Sequence, residues 1–449
     1  MLERKIYSEM LKWKNTSNGK TALIIEGARR VGKSTIVKYF AQNEYEDFLI
    51  LDFAIESNDV KQLFLNDLHN LNAFFRNLFL LKGKSLPIKK SVIIFDEIEL
   101  FPQARQAIKY LVQDGRYDYI ETGSLISIKQ NVKNILIPSE EHRLKMFPMD
   151  FEEFLWANGD KLSISYLADS FKTRTSLGSA IHRKMLQTFR TYIAVGGMPS
   201  AVNAFVEGKT YAEIDLIKRS ILELYEDDLR KYDKNNRYKA SVIFKTIPEQ
   251  LSNHNSHYKF SGIDKNARYQ SYAEDFDFIN ESMMANLCIN VTSPEIGLEL
   301  FADRSNFKLY MADTGLLVSQ IMKNSSSTNN DIYKSLIFDK LSINQGMILE
   351  NAVSQMLKSK GYSLFFHEFN YKAKDNEKEN KYEIDFLLVK DKKICPIEVK
   401  SSSYVNHKSF DMFSNKYKIK SGEKYIIYSK DYAYKEGINY IPFYMTICL

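Results

Sequence analysis

The chain has 449 residues, too many for one ordinary hydrophobic core, so about two or three domains are expected. Hydrophobic residues make up 44% and charged residues 26%, which is typical of a folded globular protein and excludes a disordered chain. The net charge of +6 permits a nucleic-acid partner without requiring one, because a mixed solvated surface gives the same value.

Cysteine spacing and hydropathy indicate the redox compartment of the chain and whether it spans a membrane. Cys288, Cys395 and Cys448 are far apart and show no metal-binding or redox spacing. An odd number of cysteines, with no secretory signal at the N-terminus, predicts a reduced, cytoplasmic protein. No uninterrupted apolar stretch of about 18 residues occurs, so no membrane-spanning helix is expected.

The first 160 residues alternate short apolar runs with helical patterns. Strands separated by helices predict a parallel sheet that is covered on both faces. The predicted strands are Thr21–Glu26, Phe48–Phe53, Ser91–Phe95 and Tyr117–Thr122, and the clearest helices between them are Ser34–Gln42 and Pro102–Gln113.

A phosphate-binding motif stands between the first strand and the first helix of this region. Gly27, Gly32, Lys33 and Ser34 fit the Walker A spacing. Glycines let backbone N–H groups surround phosphates, and the helix N-terminus adds partial positive charge. We predict that Lys33 reaches the β- and γ-phosphates and that the Ser34 hydroxyl binds Mg²⁺.

A second segment supports the first. Ser91–Phe95 is an apolar strand that ends in Asp96 and Glu97, the form of a Walker B motif. Asp96 is predicted to hold Mg²⁺, and Glu97 to orient or deprotonate the attacking water. The two motifs together predict an ATPase.

Two further polar positions have weaker support. The next strand ends in Thr122 and Ser124, either of which could contact the γ-phosphate, although a polar turn after a strand is an equal alternative. Arg143 could supply positive charge to the γ-phosphate in cis or from a neighbouring subunit, but an ordinary surface arginine is the favoured interpretation.

From about residue 150 to 320 the pattern is mostly helical, and it ends in a weaker segment that could be a small winged-helix unit. The polar stretch 323–331 is predicted to be a linker. Beyond it, a helix over Asn344–Lys358 precedes four strand-like runs, which suggests a separate α/β domain. These runs are Ser363–His367, Tyr382–Val389, Ile394–Lys400 and Lys424–Tyr428.

Charged residues in this last region converge. The runs 382–389 and 394–400 form a plausible hairpin, which would place Asp385 beside Glu398. Glu398 and Lys400 share one face of their strand because side chains alternate. Glu350 lies on the apolar stripe of the preceding helix, where an unpaired carboxylate would be costly.

Two or more carboxylates with a lysine are typical of a Mg²⁺-dependent phosphodiesterase site, in which the acids hold the metal and the lysine positions water or stabilises phosphate charge. The alternative is that Glu398 and Lys400 form an ordinary ion pair of little consequence.

In this order, the motifs resemble those of a family of prokaryotic AAA+ ATPases that carry a C-terminal domain of unknown function with a PD-(D/E)xK nuclease-like core. The resemblance spans nearly the whole chain. It rests on residues 27–35, 95–97, 122–124, 148–154, 196–199, 307–317, 346–351, 384–385 and 397–400. Ile384 replaces the proline of the motif's name.

This resemblance implies three regions: a P-loop AAA+ domain with a parallel sheet over 1–160, a helical and winged-helix segment over 161–322, and a restriction-endonuclease-like α/β domain over 332–449. It implies metal-site acids at Glu350, Asp385 and Glu398 and a catalytic lysine at Lys400. The residues predicted to contact the nucleotide are Gly27, Arg29, Arg30, Val31, Gly32, Lys33, Ser34, Thr35 and Ser124.

The leading hypothesis is an ATP- and Mg²⁺-dependent switch that controls cleavage of DNA by the C-terminal domain, with ATP-dependent homo-oligomerisation. The alternative is a regulatory ATPase whose C-terminal domain binds DNA or a protein without cutting. A metabolic kinase is disfavoured, because the Asp96–Glu97 pair suits activation of water.

Overall fold

The computed structural model describes residues 1–124, 136–232, 238–252, 258–262, 268–324, 333–335, 345–372, 379–401, 407–417 and 422–449. The chain divides into two compact units. One is built mainly from Glu3–Phe147, and the other mainly from Pro148–Asn280 and Met284–Leu449. Most of the predicted linker 323–331 lies outside the described residues.

The first unit is a five-stranded α/β layer. Its strands are β1 (Ala22–Glu26), β2 (Asp47–Asp52), β3 (Ser91–Asp96), β4 (Asp118–Gly123) and β5 (Glu141–Lys145). Its helices are α1 (Ile6–Ser17), α2 (Lys33–Glu44), α3 (Asn58–Asn66), α4 (Leu71–Lys82) and α5 (Pro102–Asp114).

The sheet of the first unit has the order β2-β3-β4-β1-β5 and is parallel throughout. This confirms the parallel sheet and the four strands predicted from apolar runs. Strand β5 was missed, because its sequence Glu-His-Arg-Leu-Lys is polar. A strand at the edge of a sheet can carry such residues, since only part of it is buried.

The second unit begins with helices and ends with a mixed sheet. Its helices are α6 (Phe151–Ala157), α7 (Leu162–Thr173), α8 (Ser179–Val195), α9 (Pro199–Val206), α10 (Tyr211–Tyr232), α11 (Lys239–Ser252), α12 (Ala273–Glu281), α13 (Thr314–Ile321), α14 (Gln345–Ser359) and α15 (Lys408–Tyr417). Its strands are β6 (Ala285–Val291), β7 (Ala302–Met311), β8 (Leu364–Tyr371), β9 (Asn380–Lys390), β10 (Lys393–Val399), β11 (Lys424–Tyr428), β12 (Ala433–Lys435) and β13 (Ile438–Pro442).

These strands form one sheet of eight, in the order β12-β13-β11-β10-β9-β8-β6-β7. The hairpin of β6 and β7 lies within the segment 161–322, for which a small winged-helix unit was a possibility. It forms an edge of this sheet, because β6 pairs in parallel with β8 from Cys288–Leu364 to Asn290–Phe366. The apolar pattern alone does not show which distant strand a hairpin joins.

The two sheets are held by separate sets of buried side chains. In the first unit, aromatic residues such as Phe53, Phe64, Phe74 and Phe95 pack edge to face in one cluster. In the second, Ile384, Leu387 and Ile426 belong to the core under the large sheet. Within the described residues, no helix is both long and apolar enough to cross a membrane.

Candidate functional site

The predicted phosphate loop lies between the buried strand β1 and helix α2. Gly27 has no room for a side chain, because a Cβ atom there would come within 2.4 Å of the Met146 carbonyl oxygen. Gly32, directly before α2, has a φ of 97°, a left-handed conformation that favours glycine. The two glycines are therefore required by packing at one end of the loop and by backbone conformation at the other.

Arg4 supports this loop from the N-terminal segment. Its Nη1 donates to the carbonyl of Val31 at 2.9 Å, and its Nη2 donates to the carbonyl of Phe147 at 2.7 Å. Arg4 is buried. Sequence reasoning missed this role, because the arginine lies outside every recognised motif.

The Lys33 side chain lies inside the loop. Its Nζ donates to the carbonyl oxygens of Gly27 at 2.9 Å and Ala28 at 3.2 Å. Burial lowers the pKa of Lys33 from its ordinary value. The ammonium group is thus held by neutral acceptors in a poorly hydrated place, where an anionic ligand would be a better partner.

Asp96 joins the two predicted motifs. The Ser34 hydroxyl donates to Asp96 Oδ1 at 2.8 Å, and the Thr122 hydroxyl also donates to Asp96. A serine hydroxyl and an aspartate carboxylate in contact form an oxygen donor pair of the kind that Mg²⁺ prefers. The residues present therefore fit the predicted magnesium site.

Glu97 follows Asp96 in a left-handed conformation, with φ 52° and ψ 45°. It precedes a short turn that carries Glu99, whose Oε1 accepts from both the backbone N–H and the hydroxyl of Ser124, each at 3.2 Å. Burial, and next the charge of Glu97, raise the pKa of Glu99 to about 7. Glu99 was missed by sequence reasoning, although its place two residues after Glu97 was a signal.

Arg143 makes contacts within its own unit. Its guanidinium lies 3.4 Å from Glu26 Oε1 and 3.1 Å from Glu141 Oε2. Arg105 also holds Glu141, through two hydrogen bonds of 2.8 Å. These ion pairs accord with the structural interpretation of Arg143, and its proposed contact with a γ-phosphate stays a prediction.

In the second unit, β9 and β10 form the predicted antiparallel hairpin. Asp391 and Lys392, in its turn, both have positive φ, as tight hairpin turns require. Lys400 Nζ lies 2.8 Å from Glu398 Oε2, so these side chains do project together. The backbone N–H of Val399 donates to Asp385 Oδ2 at 2.7 Å.

Glu350, on α14, has different partners from those predicted. Lys308 Nζ donates to Glu350 Oε1 at 2.9 Å and to Glu383 Oε1 at 2.6 Å, and the Tyr310 hydroxyl donates to Glu350 as well. The signal that could have revealed them is strand periodicity, because Lys308 and Tyr310 share a face of β7. Glu383 and Asp385 share a face of β9 in the same way.

These groups are electrostatically linked. Burial alone would lower the pKa of Lys308, but the carboxylates of Glu350 and Glu383 raise it well above its ordinary value. Burial, and next the charge of Glu350, raise the pKa of Asp385 well above its ordinary value. Lys308 is therefore a firmly charged ammonium group, and burial, as the largest cause, raises the pKa of both Glu383 and Asp385.

The acids of the second unit do not fit a divalent metal as they are arranged. Among the described residues, no three aspartate, glutamate, histidine or cysteine side chains are placed so that they could hold a metal ion. The acids predicted to bind it are engaged by Lys308, by Lys400 and by a backbone N–H group. Their roles as metal ligands and catalysts stay predictions.

Three family models match separate parts of the chain. Residues 19–155 match an AAA domain, 186–327 match a domain of unknown function (DUF8612), and 345–446 match another domain of unknown function (DUF4143). No curated protein sequence matches the chain. The first match and the loop geometry define the class: the chain contains a P-loop ATPase domain of the AAA type.

Among solved structures, the chain is similar to the Walker-type ATPase PABY2304 of Pyrococcus abyssi, with 13% identity, coverage of 72% of this chain and 96% of that one, and a TM-score of 0.40. It is also similar to a signal transduction ATPase with numerous domains, with a tetratricopeptide repeat sensor, from Pyrococcus horikoshii: 11% identity, 80% and 46% coverage, TM-score 0.28. Protein VC1899 from Vibrio cholerae matches with 9% identity, 95% coverage of both chains and a TM-score of 0.18.

Proposed function

We propose that this protein hydrolyses ATP at Lys33, Ser34, Asp96 and Glu97, and that its nucleotide state controls the C-terminal domain. The observation that supports hydrolysis most is the 2.8 Å hydrogen bond between Ser34 and Asp96, which lie 62 residues apart in the chain. It brings the ends of the two predicted motifs into the arrangement that a magnesium–nucleotide complex requires.

The protein's own groups would act as follows. A triphosphate offers charged oxygens, which are stronger acceptors than backbone carbonyls, so Lys33 Nζ would leave Gly27 and Ala28 for the phosphates. Magnesium bound by Ser34 and Asp96 would neutralise phosphate charge. Glu97 would orient the attacking water and accept its proton.

The test is release of phosphate from ATP by wild type, Lys33→Ala and Glu97→Gln, with binding of a fluorescent ATP analogue measured in parallel. Glu97→Gln should bind ATP and lower kcat by about 10²–10⁴-fold, and Lys33→Ala should lose both binding and hydrolysis. Lys38→Ala, an exposed lysine on the same helix, is the matched control and should behave as wild type. Wild-type rates in Glu97→Gln would contradict the assignment.

For the C-terminal domain, we propose nucleotide-controlled binding of DNA without cleavage. The ion pair of Lys308 with Glu350 supports the absence of cleavage, because it occupies one of the acids predicted to hold the nuclease metal. Two observations support DNA as the ligand: the net charge of +6, and the motif containing Glu398 and Lys400, which resembles that of nuclease-like proteins. A protein partner is the outcome to exclude.

A second candidate function is magnesium-dependent cleavage of DNA under the same control. One observation favours it: Asp385 on β9 accepts from the backbone N–H of Val399 at the end of β10, and the adjacent Lys400 contacts Glu398 at 2.8 Å. The unfavourable donor set described above is the reason it ranks second. In both proposals the chain acts in the cytoplasm and self-associates when ATP binds.

One experiment separates the two candidates. Plasmid and linear DNA are incubated with wild type, Lys33→Ala and the double variant Asp385→Ala/Lys400→Ala, with Mg²⁺ or Mn²⁺ and with or without ATP, and binding is followed by fluorescence anisotropy. ATP-dependent binding without cleavage would support the first proposal. Cleavage that the double variant loses would replace it with the second, and neither binding nor cleavage would point to a protein partner.

A further inference from the structure

A lysine and two glutamates from three elements of the second unit form a compact, partly buried ion-pair group. We name this group, with its tyrosine, the Lys308 cluster: Lys308 and Tyr310 on β7, Glu350 on α14 and Glu383 on β9. The side chain of Lys308 is 9% exposed, against 24% for Glu350 and 23% for Glu383. The cation is therefore the innermost member.

We propose that the ammonium group of Lys308 is the resident cation of this site and takes the position between Glu350 and Glu383 that a divalent metal would otherwise occupy. The proposal deepens the proposed function of the C-terminal domain, since it explains why that domain would not cut. Only this explanation rests on the proposed absence of cleavage. The cation site itself is tested by a measurement that does not involve cleavage.

The first support is the set of hydrogen bonds that Lys308 donates and Glu350 accepts. An ammonium group has three N–H donors, and Lys308 directs two of them to separate carboxylates at 2.9 and 2.6 Å. The same Glu350 oxygen that accepts from Lys308 also accepts from Tyr310. A metal ion bound through this Glu350 oxygen would compete with both hydrogen bonds.

The second support is that Lys308 is fixed along its length. It projects from the body of an antiparallel strand pair, where Lys308 is opposite Cys288. Its Nζ also lies 5.3 Å from the centre of the Phe366 ring, on β8, which β6 separates from β7 in the sheet. Movement of the ammonium group into solvent would break its contacts with two carboxylates and an aromatic ring, so the buried position is favoured.

The third support is charge. Glu350 and Glu383 both accept from the one Nζ of Lys308, at 2.9 and 2.6 Å, so their carboxylates lie close together. Without Lys308, the carboxylates of Glu350 and Glu383 would lie near each other with no cation between them, which is unfavourable in a poorly hydrated place. A divalent ion is the chemical class that would replace an ammonium group there, because it prefers carboxylate oxygens.

The test compares Mn²⁺ binding and thermal stability in two full-length proteins. Both carry Asp96→Asn, which removes the predicted metal ligand of the nucleotide site, and one also carries Lys308→Met. Mn²⁺ alone is the probe, followed by electron paramagnetic resonance. We expect no bound Mn²⁺ while Lys308 is present, and a Tm about 5 °C or more lower in Lys308→Met that added Mn²⁺ restores.

Two controls make the result specific. Adding Glu350→Gln to Lys308→Met should abolish the recovery by Mn²⁺. Lys209→Met removes a lysine from an exposed pair with Glu213, at 4.0 Å in the same unit, and should change neither Tm nor Mn²⁺ binding. If Lys308→Met does not fold, Lys308→Gln, which removes the charge but keeps an N–H donor and both carboxylates, is used with the same measurements.

Two outcomes would overturn the proposal. The first is Mn²⁺ bound by the protein that retains Lys308 and lost on Glu350→Gln, since the metal and the lysine would then coexist. The second is the absence of Mn²⁺ binding in both proteins, since the acids would then form no cation site even without the lysine.

Discussion

The two units each contain a buried lysine near carboxylates, but the two lysines have opposite surroundings. Lys33 donates to the carbonyl oxygens of Gly27 and Ala28, whereas Lys308 donates to the carboxylates of Glu350 and Glu383. The pKa of Lys33 is lowered, mainly by burial, and that of Lys308 is raised by its carboxylate partners against the effect of burial.

The difference shows how local acceptors decide what a lysine can do. An ammonium group bonded to neutral carbonyl oxygens forms stronger hydrogen bonds when an anionic phosphate replaces them, so such a lysine is favourable in a ligand-binding site. A cation already paired with two carboxylates has its best partners in the folded protein and suits a structural role. A lysine near acids is therefore weak evidence of catalysis until its hydrogen-bond partners are known.

The largest expected effect is on hydrolysis. Lys33→Met should lower kcat/KM for ATP by at least about 10²–10³-fold, because it removes the charge donor placed for the phosphates and weakens both binding and hydrolysis. Lys308→Met should leave kcat/KM within about twofold of wild type. Phosphate release at a fixed, subsaturating ATP concentration measures both, and an equal loss in the two variants would contradict the comparison.

The next effect concerns acid stability in the second unit. Burial lowers the pKa of His367 to about 4, and its ring nitrogens contact the Val291 carbonyl and the Tyr417 hydroxyl, both at 2.6 Å. Lys416 and Glu368 are its charged neighbours. As the pH decreases, the His367 imidazole is protonated in the unfolded chain near pH 6.5, but in the folded protein only near pH 4. The free energy of unfolding should therefore have its full value above about pH 6.5 and fall by about 3 kcal/mol as the pH decreases toward 4.

Urea unfolding at a series of pH values measures this. His367→Gln should remove most of the slope between pH 6.5 and 4, although it lowers stability at pH 7. His142→Gln changes an exposed histidine and is the control. An unchanged slope in His367→Gln would show that other groups cause the acid sensitivity.

The first unit should show the opposite pH dependence. The pKa of Glu99 is raised to about 7, so its contribution to stability is present below about pH 4.5 and is lost as pH rises through 7. At pH 8, Glu99→Gln should stabilise the protein by on the order of 2 kcal/mol and flatten the curve between pH 4.5 and 7. Urea unfolding of Glu99→Gln over this pH range measures the effect. Glu46 has an exposed carboxylate that pairs with Lys90, so Glu46→Gln is the control.

The sequence predicted the nucleotide site better than the acid cluster for a physical reason. The phosphate loop is contiguous, and Asp96 ends an apolar strand of the same parallel sheet, so spacing and pattern were sufficient. Lys308 lies 42 residues from Glu350 and 75 from Glu383, and nothing local links them. Only the pairing of β6 with β8 places the hairpin of Lys308 in the C-terminal sheet.

The smallest effect tests whether burial explains the contrast. Lys90 pairs with Glu46 at 2.7 Å on the first unit, with both side chains more than half exposed. Lys90→Met should change the free energy of unfolding by less than about 0.5 kcal/mol, because water already solvates both charges. A loss as large as that of Lys308→Met, measured by urea unfolding, would contradict the role given to burial.

The most direct test of the central claim is the reactivity of the two lysines toward acetic anhydride, measured by peptide mass spectrometry with and without ATP and Mg²⁺. Lys33 should be acetylated in the absence of nucleotide and protected by ATP, while Lys308 should stay unmodified in both conditions and exposed Lys90 should react in both. Acetylation of Lys308 at the rate of Lys90, or labelling of Lys33 that ATP does not change, would contradict the account.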